Sequence, residues 1–256
     1  MSNQLYRAFG TLLFVTAVSG NATSQRNITH QKVIWYAYLN SIEINSKVKF
    51  VSEIHERRYF NPDAQHQFAL RERIHVALNQ NIDIAICFAY FLQSPNNPYS
   101  TSNLKIPELR PHGDLTLLQP FNRFTVQHRF RVEYRFFRNT FDNALVSGYN
   151  SNMRFRYQLG VELPLYKFKN EGDLKLKFGD EIFINAGKNI QNNVFDHNRY
   201  YFAILLSPIK SLTFEAGYMN WFQQLPSGTD YYERDIIRLS ITQRLICKPK
   251  KVNQLK

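Results

Sequence analysis

The densest chemistry in the chain lies in one run, His128-Arg-Phe-Arg-Val-Glu-Tyr-Arg-Phe136. Across 122–137, Arg129, Arg131, Glu133 and Arg135 keep one phase of a two-residue alternation, and Phe124, Val126, His128, Phe130, Val132, Tyr134 and Phe136 keep the other. On a helix these charges would circle the cylinder; on a strand they stand on a single face. Glu108, Arg110, Arg154, Arg156, Glu162, Glu181, Arg199, Glu215 and Arg238 hold the polar phase of similar segments. Buried charges must be paired, and guanidinium and carboxylate groups on facing strands pair by charge-assisted hydrogen bonds. One expectation is therefore a ladder that neutralises itself and fills a narrow lumen. The other is a polar pore or pocket for a small anionic ligand, because arginine outnumbers glutamate in the set and arginine-lined pores select anions.

Other chemistries have less support. The chain has no HExxH, P-loop, GxSxG or dinucleotide glycine pattern. His112, in Arg110-Pro-His-Gly-Asp114, could act with Glu108 as a hydrolase at the lumen mouth, but no nucleophile can be assigned to it. His55 beside Glu56 has no metal-ligand spacing, and the two cysteines, Cys87 and Cys247, exclude a multi-cysteine cluster and a disulfide scaffold. Cys87 sits among small residues and reads as a filler. No metal or cofactor is expected. The net charge of +12, from 32 Lys and Arg against 20 Asp and Glu, would suit nucleic acid. The arginines and aromatics of 123–136 fall on opposite faces, however, and cannot build one stacking and phosphate-binding surface, so no nucleic-acid partner is expected.

The elements that must position these residues are strands. A hydrophobic fraction of 44% excludes disorder. No repeated apolar run reaches the roughly 20 residues a membrane helix needs. Period-two alternation covers 33–44, 47–58, 68–78, 82–92, 108–118, 122–137, 153–163, 174–185, 196–206, 211–222 and 237–245. Most of these segments are about 10 to 15 residues long, against about five or six for a globular strand. In 68–78, Glu72 breaks the pattern by falling on the apolar phase. Short turns are expected near Asn45-Ser46, Asn79-Gln80-Asn81, Gln119-Pro120-Phe121 and Ser207-Pro208, and longer polar loops near 59–66, 94–107, 138–151, 186–195 and 223–234. Long strands with alternating short and long connections predict an all-β, antiparallel transmembrane barrel of about 10–12 strands with short periplasmic turns. With the long loops outside, the first strand starts outside. A missed strand, an N-terminal segment re-entering through the lumen, or a parallel odd-numbered closure would each account for that.

Arg7 precedes an apolar stretch over 8–18, and Ala22 and Ser24 stand at the minus-three and minus-one positions of a cut before Gln25. That order reads as a signal peptide over 1–24, followed by a barrel over 25–247 and a basic tail over 248–256. Export from the cytoplasm is expected.

Several motifs together resemble a known family. They are the run His128–Phe136, Trp35, Glu108-Leu-Arg110, Arg154-Phe-Arg-Tyr157, Glu181-Ile-Phe-Ile-Asn185, Asp196-His-Asn-Arg199 and Glu215-Ala-Gly-Tyr-Met219. The chain is similar over 33–245 to the bacterial outer-membrane barrels grouped as domain-of-unknown-function family 2490. The resemblance implies a Gram-negative outer-membrane protein, often of the Bacteroidetes kind, with no assigned activity. It implies outer-membrane lipid, lipopolysaccharide and the barrel-assembly machinery as surroundings. Pro111-His112-Gly113 departs from the family pattern, and the last strand ends at Leu245 rather than at a terminal Phe. The expected role is a non-enzymatic structural, binding or narrow-pore barrel. The alternative is a membrane-embedded lipid-modifying hydrolase or acyltransferase.

Overall fold

Alternating side chains make each segment a strand with two unlike faces, and a closed sheet is the way to hide one face completely. The computed structural model describes residues 26–247 and shows that solution. Eleven strands close into one barrel: β1 (Asn27–Glu43), β2 (Val48–Tyr59), β3 (Gln65–Ala77), β4 (Ile82–Gln93), β5 (Ile106–Pro120), β6 (Thr125–Phe141), β7 (Ala144–Lys167), β8 (Asp173–Ala186), β9 (Phe195–Ile209), β10 (Leu212–Gln224) and β11 (Asp230–Ile246). No helix is present among the described residues. Sequential strands pair antiparallel, and the ring is closed by β1 lying parallel to β11, from Asn27 opposite Asp230 to Glu43 opposite Ile246. Of the three ways to reconcile the first strand with the loops, the parallel odd-numbered closure is the one realised. The expected signal peptide and basic tail lie outside the described residues.

Connections at one end are short, at 44–47, 78–81, 121–124, 168–172 and 210–211. The opposite end carries 60–64, 94–105, 142–143, 187–194 and 225–229. Two local expectations are corrected. The stretch 138–151 is not a loop: β6 and β7 run on as a hairpin that turns at Asp142 and Asn143, with φ of 45° and 57°. Asp and Asn accept the positive φ that a two-residue hairpin turn demands. Arg138 consequently sits in β6, opposite Tyr149. Ser207-Pro208 does not turn either; β9 continues to Ile209 and the chain reverses at Lys210-Ser211. A proline is tolerated that close to a strand end.

The outward phase forms an apolar band on every strand, including Tyr36, Ile54, Leu70, Ile86, Leu115, Val132, Phe155, Phe178, Phe202, Phe214 and Leu239. Glu72 belongs to this outer phase, where its carboxylate accepts a hydrogen bond of 2.6 Å from Ser52 of the neighbouring strand. The inward phase carries the charges. Gly160 and Gly179 face each other across β7 and β8 and leave room for Tyr201 of β9. A Cβ on Gly179 would run into the Leu159 carbonyl and stand 2.9 Å from the Tyr201 hydroxyl.

Gly179→Ala should therefore lower the urea midpoint of the refolded barrel in detergent, through a loss of about 1–3 kcal/mol in stability as overpacking causes. An unchanged midpoint would show that the strands relax there freely. The faces can be read separately. In a Cys87→Ser, Cys247→Ser background, a fluorophore on a cysteine at Val132 or Tyr134 should be quenched by brominated lipid. One at Arg129 or Arg135 should not. Equal quenching of both sets would reject the inward and outward assignment.

Candidate functional site

Strand register brings the inward charges of β5 to β8 into one layer. Glu133 and Glu108 are both wholly buried. The Glu133 carboxylate is bonded by Arg154 of β7, lies 3.1 Å from Arg156, and has Arg110 of β5 at 4.0 Å. Glu108 accepts from Arg110 at 2.7 Å and from Arg135 at 2.8 Å, and also from Gln93 at 2.6 Å. Glu181 joins Arg156 at 2.6 Å to Arg129 at 2.7 Å. Arg131 grips both oxygens of Asp114 at 2.6 Å, and Arg154 reaches on to Asp196. A second group stands on the neighbouring wall. Trp35 donates to His55, His55 donates to Glu53 at 2.7 Å, and Arg71 and Arg73 close on the same carboxylate.

The layer leaves a chamber on each side. Toward the short-turn end lies a cavity of about 380 Å³, edged by Arg73, Arg129, Arg156, Lys177 and Arg238. Toward the long-loop end lies one of about 390 Å³, edged by Arg57, His66, Arg110, Arg135, Arg199 and Trp221. Arg199 borders both. The loop 94–105 folds over the second chamber. The Asn96 carbonyl accepts from Gln31 and from the Tyr59 hydroxyl, both at 2.7 Å. Ser102 donates to Asn143 at the hairpin tip, and Lys105 donates to Gln65 at 2.6 Å.

Two guanidinium groups in this chamber lack a carboxylate within 4 Å among the described residues. Arg57 is bonded to Gln67 and stacks 3.5 Å from the Trp35 ring centre. Arg199 lies between Trp221, at 4.1 Å, and Phe183, at 4.8 Å. The Nε of each is buried without a hydrogen-bond partner. Close by, Arg234 has no exposed surface and meets only neutral acceptors, Gln31 at 2.7 Å and Gln223 at 2.6 Å. Aromatic faces stabilise such cations, by about 2 kcal/mol when desolvated, but leave N–H groups free for an anion.

A family model described as "Protein of unknown function (DUF2490)" matches residues 33–232. The chain belongs to this family. No curated protein and no solved structure is similar to it at a significant level. Within this DUF2490 barrel, Glu108, Arg110, Arg129, Arg131, Glu133, Arg135, Arg154, Arg156 and Glu181 meet in the one layer, while Arg199 stands beside it without a carboxylate. Three expected members stand apart. Arg238 pairs with Glu215 at 3.2 Å, and Glu162 pairs with Lys175 at 3.0 Å. His112 does not meet Glu108, whose oxygens face Arg110 and Arg135; His112 stands beside Cys87 and Asp114 instead.

Glu53, Arg57, Arg71, Arg73, Asp114, Asp196 and Arg234 were not among the expected site residues. Asp114 was within reach, since it follows Glu108, Arg110 and His112 in the same phase. Asp196 was not: the register of β8 and β9 shifts between Phe183 and Ile184, and both Asp196 and His197 end up buried.

Glu133→Ala should destabilise the barrel far more than Arg138→Ala. Removing one partner of a buried pair costs about 3–5 kcal/mol, and a surface charge about 0–1 kcal/mol. Arg138 offers only a stack on Tyr149, at 5.3 Å. Thermal midpoints in detergent decide, and a larger drop for Arg138→Ala would mean that the layer is not what holds the wall.

Proposed function

We propose that this DUF2490 member is an exported outer-membrane barrel that binds a small anionic solute in its loop-end chamber and conducts no steady ion current. Three features support the location: the apolar band round all eleven strands, the short turns at one end against longer loops at the other, and the export pattern over 1–24. In that setting the long loops face outward and the wall is surrounded by outer-membrane lipid and lipopolysaccharide.

One observation carries the binding reading. Arg57 and Arg199 are buried guanidinium groups that, among the described residues, have an unbonded N–H donor and no carboxylate within 4 Å, at the edge of a cavity of about 390 Å³. Cavities of roughly 300–1,000 Å³ are the size that takes small ligands. A phosphate or carboxylate there supplies the missing counter-charge. The ion-pair layer beneath and the loop 94–105 above oppose a continuous water path.

Inorganic phosphate titrated into the refolded barrel should give saturable binding. Arg199→Gln and Arg57→Gln should each weaken it about 10-fold or more, the scale of a hydrogen bond to a charged group at about 1.5–3 kcal/mol. Planar bilayers should stay silent. Phosphate binding that ignores both substitutions, or its absence, would reject the pocket; a steady open channel would reject the closed lumen.

A further inference from the structure

Away from the chamber, on the wall formed by β4 and β5, three metal-ligating side chains converge. Cys87 of β4 is the register partner of His112 of β5, and Asp114 follows two residues later on the same face. The Cys87 sulfur, a His112 ring nitrogen and an Asp114 oxygen all lie within 4.8 Å of one another, and all three residues are buried. We propose that Cys87, His112 and Asp114 bind one thiophilic divalent cation of the zinc class.

The second observation is the imidazole itself. His112 is 7% exposed, and its Nε2 is buried without a hydrogen-bond partner. Its Nδ1 donates to the Arg110 carbonyl at 3.2 Å. That bond leaves Nε2 with its lone pair, the tautomer and outer-shell arrangement that metal-ligating histidines use. Asp114 is oriented in the same manner, because Arg131 holds each of its oxygens from one side and leaves a lone pair on each. A tetrahedral zinc site, with bonds of about 2.0–2.3 Å, needs its donors about 3.3–3.6 Å apart. A side-chain shift of roughly 1 Å closes that gap.

The donor set also selects the ion. One thiol, one imidazole and one carboxylate suit zinc, whereas calcium and magnesium require several oxygens. The metal–sulfur bond forms as the Cys87 thiol gives up its proton to solvent, so the site gains one positive charge on binding. Arg73, opposite Cys87, stands nearby but is paired with Glu53, and Arg131 is paired with Asp114 itself. The turn-end cavity reaches Arg73 and Arg131, and so comes to the edge of the cluster. A fourth ligand position is left for water or a solute. Nothing in the spacing of Cys87 and His112 along the chain announces a site, because the ligands come from two strands and meet only through their register.

The test uses the whole barrel, refolded in detergent, with Cys247→Ser so that Cys87 is the sole thiol. Cobalt(II) should bind at about one equivalent, with a thiolate charge-transfer band and the strong visible bands of tetrahedral coordination, and zinc should displace it. The charge-transfer band should vanish in Cys87→Ser, and both signals should be lost or much weakened in His112→Asn. No thiolate band, or a band that survives Cys87→Ser, overturns the proposal. If either variant fails to fold, the Cys247→Ser barrel still decides. Zinc should raise its unfolding midpoint, and a midpoint unmoved up to millimolar zinc overturns the site as well.

Discussion

The structure depends on how arginines are satisfied inside a closed wall. A barrel of eleven strands is narrow enough for its side chains to meet across the interior, and water cannot solvate each charge separately. Glu133 shows the outcome, with no exposed surface and guanidinium groups arriving from β5 and β7. Such a pairing adds little if both members are exchanged for apolar residues, but loses much if one is removed. The small inward residues of β4, Ala85, Cys87 and Ala89, follow from the same crowding, since they lie beside Arg71 and Arg73 on β3 and His112 and Arg110 on β5.

The closing seam is the other constraint. An odd strand number forces one parallel pair, and parallel ladders are slightly less stable per residue than antiparallel ones. The lumen compensates there with apolar packing. Val33 and Trp35 of β1, Ile236 of β11, Met219 and Trp221 of β10 and Tyr59 of β2 form a single buried cluster behind the seam. The inward charges of β5 to β8 are thus anchored by ion pairs and the seam by hydrophobic contact. The seam also settles direction, because β1 and β11 both run from the long-loop end to the short-turn end.

Legibility in the sequence followed the same division. The 122–137 segment alternates without a break, and its phases were assigned to the correct faces because β6 is apolar outside and charged inside along most of its length. β2 was readable only as a weak strand, since its outward phase mixes Phe50 and Ile54 with Ser52, Glu56 and Arg58. Glu53 and Arg57 were lost with it, so Arg71 and Arg73, which keep the polar phase of 68–78, were left without the partner they meet. The hairpin within 138–151 is hidden in the sequence because polar and apolar residues mix on both faces, Phe141, Leu145 and Tyr149 sharing a phase with Asn139, Asn143 and Ser147, and only the Asp142-Asn143 pair marks the turn. Partner choice was not legible anywhere: Glu162 and Glu215 share a phase pattern with Glu133, yet register sends them to Lys175 and Arg238.

The position of the unpaired guanidinium groups follows from these two anchors together. Arg57, Arg199 and Arg234 sit on β2, β9 and β11, near the apolar cluster of the seam, while the inward carboxylates of β2 and β9, Glu53 and Asp196, are already held by Arg73 and Arg154. Trp35, Trp221 and Tyr232 serve them instead, through ring faces at 3.5 to 4.7 Å. An aromatic face stabilises a guanidinium without using its N–H donors. An apolar seam in a lumen that is otherwise arginine-rich thus leaves a cluster of guanidinium groups without carboxylate partners among the described residues. The loop 94–105 closes over that cluster, with Asn96 held by Gln31 and Tyr59 and placed 3.4 Å from Arg234. The cluster of guanidinium groups bordering the chamber is in this sense a consequence of how the barrel closes.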